Sequence, residues 1–157
     1  MITQQPWPPV QLRSLVMREE EREMFSLLDY QKAGSIPYSP LAKGRLARPW
    51  GERTYRTKTD VPGRRFDIEE DKPIIDAVEK VASSRGVSMA SVALAWVLTN
   101  PAVDAPIVGA SKWHHLADAA AALEIDLTDD ELEVLTEPYR PHEPTNLVGP
   151  AEALTTR

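Results

Sequence analysis

Residues 105–123 read APIVGASKWHHLADAAAAL, and this stretch decides the expected fold of the chain. A short apolar run, residues 105–108, ends at Gly109, and an alanine-rich run with helical spacing follows. We interpret the stretch as a buried strand that ends at Gly109 and a helix that begins at Ser111 or Lys112. A strand that leads directly into a helix is the repeating unit of α/β folds with parallel strands.

The same alternation continues on both sides of this stretch. Residues 10–17 and 35–38 predict two more short strands, and Pro40 limits the second one. Further helices follow from apolar spacing, caps and stop signals: residues 18–33 before Gly34, residues 71–85 before Gly86, residues 89–99 after Ser88, and a final helix opened by Thr128 and Glu131. The whole pattern predicts an α/β fold with parallel strands joined by crossover helices.

The composition excludes several classes of function. The 157 residues carry 18 Lys and Arg against 24 Asp and Glu, a net charge of -6, which argues against wholesale binding to nucleic acid or to an anionic membrane. The chain has no Cys, which excludes disulfides, thiolate metal sites and a cysteine nucleophile. It shows no run of 18 apolar residues and no signal-like N-terminus, so we expect a cytoplasmic protein.

Two segments carry residues suited to an anionic ligand. Residues 108–112 place Gly109 before a helix N-terminus, whose unpaired N–H groups beside the Lys112 ammonium suit a phosphate. Residues 38–44 offer a tyrosine face, a serine hydroxyl and Lys43 just after a predicted strand. Each segment also has a plain structural interpretation, the first as a glycine turn with a serine cap and the second as a proline turn with a surface lysine.

The long loop of residues 40–66 has a charge opposite to that of the whole chain. It holds eight basic and two acidic residues, a charge of +6 that leaves -12 elsewhere. In a parallel sheet this loop and both candidate segments leave the same edge. One anionic ligand could therefore contact all three of them. A nucleic acid is the alternative, although only Trp50 and Tyr55 are available for stacking. The three histidines lack the spacing of metal ligands, so no metal site is expected.

Four segments stand in an order and at a spacing that can be recognised. They are YSPLAKGRL at residues 38–46, GVSMASVALAWVLTNP at residues 86–101, APIVGASKWHHLADAAAAL at residues 105–123 and LTDDELEVLTEPY at residues 127–139. Together they resemble the C-terminal half of an aldo-keto reductase, in the branch similar to the potassium-channel β-subunit. The resemblance implies a partial (β/α)8 TIM barrel of the α/β class, with about three parallel strands and crossover helices. Proline-rich sequence without apolar periodicity predicts an irregular leader at residues 1–9 and an irregular tail at residues 143–157, which leaves the half barrel at residues 10–142.

The resemblance also implies a cofactor, NADPH. Tyr38 matches the aromatic residue that stacks on the nicotinamide, and the five residues after it match the loop that contacts the pyrophosphate. Gly109, Ser111 and Lys112 match positions that grip the 2′-phosphate, while the residues near the adenine follow on the same helix. The implied cofactor-binding residues are Tyr38, Ser39, Pro40, Leu41, Ala42, Lys43, Gly109, Ser111, Lys112, His115 and Asp118.

The departures from the family concern the reaction centre. The family's catalytic Asp, Tyr, Lys and His belong to the first half of the barrel, so no residue of this chain inherits a catalytic role. The glutamine of the sixth strand is expected to be lost or shifted, because Gln11 lies one place off. Ala119 stands where an asparagine often helps to hold the adenine.

Three functions remain open at this point. The first is NADPH-dependent reduction of a carbonyl or aldehyde, active only with a second chain that supplies the catalytic half. The second is a non-catalytic NADP(H)-binding or regulatory module, and the third is a truncated, inactive product. A full barrel needs about 250 residues, so we expect an open edge that a homo-oligomer or a complementing half barrel covers. We also expect the apolar helix of residues 89–98 to lose part of its cover.

Overall fold

A computed structural model describes residues 11–52 and 69–141 of the chain. Within these ranges the chain is mainly helical, and the α-helices are α1 (Met24–Gln31), α2 (Lys72–Arg85), α3 (Met89–Leu98), α4 (Trp113–Ala121) and α5 (Asp129–Thr136). Short 3-10 turns cover Glu19–Glu21, Ala42–Ala47, Glu69–Asp71 and Ala122–Glu124. The expected leader and tail, and residues 53–68 of the basic loop, lie outside the described residues.

The prediction of parallel strands in a partial barrel is wrong for the described part of the chain. The segments at residues 11–17, 35–38 and 103–108 form no strand there, but only isolated single-residue bridges. Three of these bridges are parallel, Leu12 with Tyr38, Ser35 with Val103, and Tyr38 with Ile107. The three segments therefore lie side by side in the same direction without building a continuous ladder.

Proline explains why the ladder does not extend. Pro37 precedes Tyr38 and Pro106 precedes Ile107. Neither of these two prolines has an N–H group to donate to a neighbouring segment. The first segment is shortened by a tight turn, since Ser14 and Met17 exchange two backbone hydrogen bonds of 3.0 and 3.1 Å. An apolar, β-branched run was therefore not sufficient to form a strand.

The predicted helix signals largely hold. Gly86 ends α2 with φ 67°, in the left-handed region that favours glycine. The Ser88 hydroxyl accepts a bond from the Ser91 N–H at the start of α3, and Thr128 with Glu131 forms a complete capping box at the start of α5. The helix predicted for residues 18–33 is shorter, because it begins after a 3-10 turn and ends at Gln31, before Lys32 with φ 54°.

The centre of the molecule is α3. Its residues Met89 through Val97 are all buried, and Ile74, Ile75 and Val78 of α2 and Leu135 of α5 belong to the same apolar cluster. The expected loss of cover over this helix is therefore wrong. By contrast, α4 has no buried residue, and Trp113 at its start is 82 % exposed.

A search for membrane-spanning helices in the described ranges gives one limited result. No single helix there is long and apolar enough to cross a bilayer. The pair made by residues 69–85 and α3 passes the length and composition test together, but the two helices meet at 105°. The cytoplasmic location stays a prediction.

Candidate functional site

The bridge between Tyr38 and Ile107 brings the two candidate loops to one edge. The Tyr38 N–H donates to the Gln11 carbonyl at 2.7 Å, and the Ile107 N–H donates to the Pro37 carbonyl at 2.7 Å. The loop after Tyr38 and the loop after Ile107 therefore leave neighbouring parallel segments at the same end. Leu41 and Val108, one from each loop, pack against the same small apolar cluster of Leu94, Ala95 and Ala122.

The first loop has an unusual backbone. Ser39, Ala42 and Lys43 have φ values of 54, 46 and 56°, and Gly44 follows with φ 89°. Left-handed conformations at residues other than glycine cost on the order of 1–3 kcal/mol each and are concentrated at functional sites. The conformation is held by two turn bonds, from the Ala42 N–H to the Ser39 carbonyl at 2.9 Å and from the Gly44 N–H to the Leu41 carbonyl at 2.7 Å.

The side chains of this loop divide into anchors and exposed groups. Pro40 and Ala42 are buried, while Ser39 and Leu41 are half-buried. Tyr38 is 39 % exposed and Lys43 is exposed. The loop thus presents an aromatic ring and an ammonium group from a rigid base.

The second loop leads into the N-terminus of α4. Lys112 is the N-cap residue, with an extended backbone and no side-chain cap, so a serine cap is not formed. Gly109, Ser111 and Lys112 are all exposed. A Cβ built on Gly109 would meet no atom within 4 Å among the described residues, and the loop backbone therefore faces open space.

His115 and Asp118 follow on α4, three residues apart and so on neighbouring positions of one face. Both are half-buried. His115 Nδ1 accepts a bond from the Ser111 N–H at 3.4 Å, and the His115 ring stands edge-on to that of His114 at 4.5 Å between centroids. The sequence-predicted residues of the second loop and of α4 thus lie together around the start of α4.

Gln11 belongs to the same edge, although sequence reasoning gave it no role in the site. Its side chain is buried, and neither its amide nitrogen nor its amide oxygen has a hydrogen-bond partner within the described ranges. An unpartnered buried polar group costs about 1–3 kcal/mol, and the Gln11 backbone pairs with Tyr38, so this amide is a candidate to pair with a bound ligand. The signal in the sequence is the glutamine itself, which stands one place off the family position.

Arg13 fixes the backbone around Tyr38 and was also missed. Its side chain is almost fully buried, forms an ion pair with Glu21 at 2.7 Å, and lies 4.6 Å from the Trp96 ring centroid and 4.9 Å from that of Phe25. Burial lowers the pKa of Arg13 to about 10, which leaves the guanidinium charged at neutral pH. The backbone N–H of Arg13 donates to the Tyr38 carbonyl at 3.3 Å. The buried Arg13 residue therefore anchors the edge that carries the candidate site.

A separate groove of about 540 Å³ lies between α2 and α5. Four carboxylates and one lysine line it, Asp76, Asp130, Glu133, Glu137 and Lys80. An excess of negative charge repels an anionic ligand, and the groove does not include any residue of the two loops. We therefore place the candidate site at the loops. Within the described ranges, no group of three His, Asp or Glu side chains is arranged to hold a metal ion.

Comparison with known proteins agrees with the sequence motifs. The profile of the aldo/keto reductase family matches residues 5–140. The chain belongs to the aldo/keto reductase family. Versiconal hemiacetal acetate reductase of Aspergillus parasiticus is 44 % identical over 133 residues, which cover 82 % of this chain and 38 % of that protein. A Saccharomyces cerevisiae protein provisionally named as an aryl-alcohol dehydrogenase is 39 % identical over 132 residues, with the same coverage.

A solved structure extends the likeness to the fold. A thermostable aldo-keto reductase in complex with the inhibitor epalrestat matches with a TM-score of 0.58 and 22 % identity, over 82 % of this chain and 38 % of that one. This aldo/keto reductase chain thus spans less than half the length of the relatives it matches.

The family generally uses NAD(P)H, and the residues at the edge fit such a cofactor. The free amide of Gln11 can pair with a carboxamide, and the exposed start of α4 beside Lys112 can bind a phosphate. The open space over Gly109 leaves room for a ligand to approach the backbone.

Proposed function

We propose that this chain is the NADP(H)-binding part of an aldo/keto reductase and corresponds to the C-terminal half of that family's sequence, in the branch similar to the potassium-channel β-subunit. One observation carries the proposal: the Tyr38–Ile107 bridge sets both anion-suited loops on the same edge. The family match and the 38 % coverage of the relatives support it.

The nicotinamide end of the cofactor would lie at Tyr38 and Gln11. A partly exposed tyrosine ring offers an apolar face for stacking, and the unpartnered Gln11 amide can donate to and accept from the carboxamide. When bound, the cofactor supplies the hydride for carbonyl reduction. The protein side chains at this end bind and orient the ring.

The pyrophosphate would lie along the loop of Ser39, Pro40, Leu41, Ala42 and Lys43. The strained turns hold the loop backbone in a fixed path, so little conformational entropy is lost when an anion binds. The exposed Lys43 ammonium adds the charge that a pyrophosphate requires.

The adenosine end would lie at the start of α4. Gly109 and Ser111 provide exposed backbone, and Lys112 provides a cation beside the positive end of the helix dipole. His115 and Asp118, on one face of α4, would contact the adenine. This end would distinguish NADPH from NADH, because only NADPH carries a 2′-phosphate for Lys112.

The reduction of a carbonyl or aldehyde belongs to the proposal for the whole protein. The family's catalytic Asp, Tyr, Lys and His would come from sequence outside this chain, supplied by a complementing chain or a second copy. Tyr139 does not replace the catalytic tyrosine, because burial and the hydrogen bond from its hydroxyl to Glu19 raise the pKa of Tyr139 to about 12. The alternative is an NADP(H)-binding or regulatory module without catalysis of its own.

Charge reversal at Lys112 tests the proposal. Lys112→Glu replaces a phosphate-binding cation by a repelling carboxylate, so the dissociation constant for NADPH should rise about tenfold or more. The constant for NADH, which has no 2′-phosphate, should change less than about twofold. Fluorescence titration of the full chain measures both constants.

A matched control uses another exposed lysine far from the loops. Lys80→Glu, in the groove between α2 and α5, should leave both cofactor affinities unchanged. Equal losses for NADPH and NADH in Lys112→Glu, or an equal effect of Lys80→Glu, would refute the 2′-phosphate assignment. Oxidation of NADPH by an aldehyde with the purified chain alone would refute the statement that its catalytic residues lie elsewhere.

A further inference from the structure

The helix that carries the adenosine end of the proposed site packs on α3 with little apolar burial. None of the nine residues of α4 is buried, and Ala119 is the residue of α4 that packs against the small apolar cluster of Leu94, Ala95 and Ala122. Immediately after α4, Ala122 is 2 % exposed and packs with Leu94 and Ala95 of α3. One polar side chain makes a second attachment from α3 to α4.

That side chain is Ser91. Its hydroxyl donates to the carbonyl oxygen of Asp118 at 2.8 Å, and Ser91 is 1 % exposed. The bond spans 27 residues of sequence and joins the first turn of α3 to the second half of α4. It therefore ties the second half of α4 to the core helix at one defined point.

The direction of the hydrogen bonds is determined by the number of hydrogens. Because the single hydroxyl hydrogen of Ser91 points to Asp118, the Ser88 hydroxyl must be the donor in the 2.8 Å contact between the two serine oxygens. The Ser88 oxygen in turn accepts from the Ser91 N–H at 3.0 Å. The N-terminal cap of α3 is thus part of the same chain of bonds that reaches α4.

We propose that Ser91 is a positioning residue, which sets the adenosine end of the site at the correct distance from the Tyr38 loop. The inference rests on the proposed cofactor site. A ligand that spans both loops depends on their separation, whereas a ligand that contacts only the start of α4 does not. Ser91 therefore contributes to affinity for the whole dinucleotide through geometry, without contacting it.

Removal of this hydroxyl should leave the fold intact. The Asp118 carbonyl keeps its bond from the Ala122 N–H, so no buried acceptor is left without a partner in Ser91→Ala. The Ser88 hydroxyl loses an acceptor, but Ser88 is only half-buried and can turn to water. The change thus releases α4 without emptying the core.

The test compares a spanning and a local ligand with the full chain. In Ser91→Ala the dissociation constant for NADPH should rise about fivefold, the effect of one ordinary hydrogen bond, while that for adenosine 2′,5′-bisphosphate should change less than about 1.5-fold. Amide hydrogen exchange should accelerate about fivefold in residues 113–122 and stay unchanged in α2. Ser84→Ala is the matched control, because the Ser84 hydroxyl bonds only within α2, to the Val81 carbonyl.

Each other result contradicts the inference. An unchanged rate of amide hydrogen exchange in α4 would show that the Ser91 hydroxyl does not hold this helix. Equal losses of affinity for NADPH and adenosine 2′,5′-bisphosphate would indicate damage at the start of α4 and not a change in the separation of the two loops. Faster exchange across α2 as well would make Ser91 a general stability residue. If the unaltered chain binds neither ligand, the proposed function fails, and the exchange rates alone still decide whether Ser91 holds α4.

Discussion

Helices α3 and α4 follow each other in the chain, are both rich in alanine and have opposite surroundings. Nine of the ten residues of α3 are buried, and none of the nine residues of α4 is. In α3 the apolar residues surround the whole helix, which is possible only at the centre of a fold. In α4 the residues proposed to bind the cofactor stand at the exposed start. Apolar cover surrounds the core helix, while the Ser91 bond and apolar contacts at Ala119 and Ala122 hold α4 on one side.

The first and largest test compares the same substitution on both helices. Leu94→Ala, on α3, should lower the free energy of unfolding by about 2–5 kcal/mol, because it leaves a cavity beside Ala122. Leu116→Ala, on α4, should change it by less than about 0.5 kcal/mol, since Leu116 is 50 % exposed. Urea unfolding followed by circular dichroism measures both. A large loss in Leu116→Ala would show that α4 is covered in solution.

A second test concerns the surroundings of Arg13, where a buried polar network supports the site edge. Glu21→Gln removes the carboxylate that pairs with the buried Arg13 guanidinium, and loss of one partner of a buried pair costs about 3 kcal/mol. Because Glu21 is partly exposed, we expect a smaller loss than Leu94→Ala causes. Urea unfolding of Glu21→Gln and of its neighbour Glu20→Gln as a control tests this. Equal losses of unfolding free energy in Glu21→Gln and Glu20→Gln would show that the Arg13–Glu21 ion pair has no special role.

The smallest effect is expected at α5, a third helix, in which only Leu135 is buried. Arg85 donates two bonds of 2.6 Å to Glu131, and this pairing, with the cap bond from Thr128, lowers the pKa of Glu131 to about 2. A lowered carboxyl pKa contributes stability that is present above the ordinary value of 4.5 and is lost as the pH falls through about 2.

Glu131→Gln should therefore cost up to about 1 kcal/mol at pH 7, because glutamine can keep the cap bond to Thr128 but loses the ion pair with Arg85, and the difference from the unaltered chain should shrink between pH 4.5 and 2. Thermal unfolding at a series of pH values measures that difference. A stability difference that stays constant down to pH 2 would contradict the role of the Arg85–Glu131 pair in holding α5 to α2.

Sequence reasoning succeeded where the signal is local. The stop at Gly86, the cap at Ser88 and the box of Thr128 with Glu131 depend on residues within four positions of each other, and all three are confirmed. The apolar composition of residues 89–98 marked α3 as a core helix, although its cover proved more complete than expected.

The same reasoning failed where the outcome depends on distant partners. The strands were predicted from apolar runs, but Pro37 and Pro106 remove donors that neighbouring segments would need. Neither the place of Arg13 between Trp96 and Phe25 nor the free amide of Gln11 can be read from spacing, because both arise from segments far apart in the chain. The cofactor residues on the two loops stay a prediction.

Calorimetric titration of the purified chain with NADPH and NADH tests the central claim most directly. We predict saturable binding of one NADPH per chain, about tenfold tighter than NADH because of the contact between Lys112 and the 2′-phosphate. No heat beyond dilution with NADPH, or equal affinity for the two cofactors, would contradict the claim that these loops form an NADP(H) site.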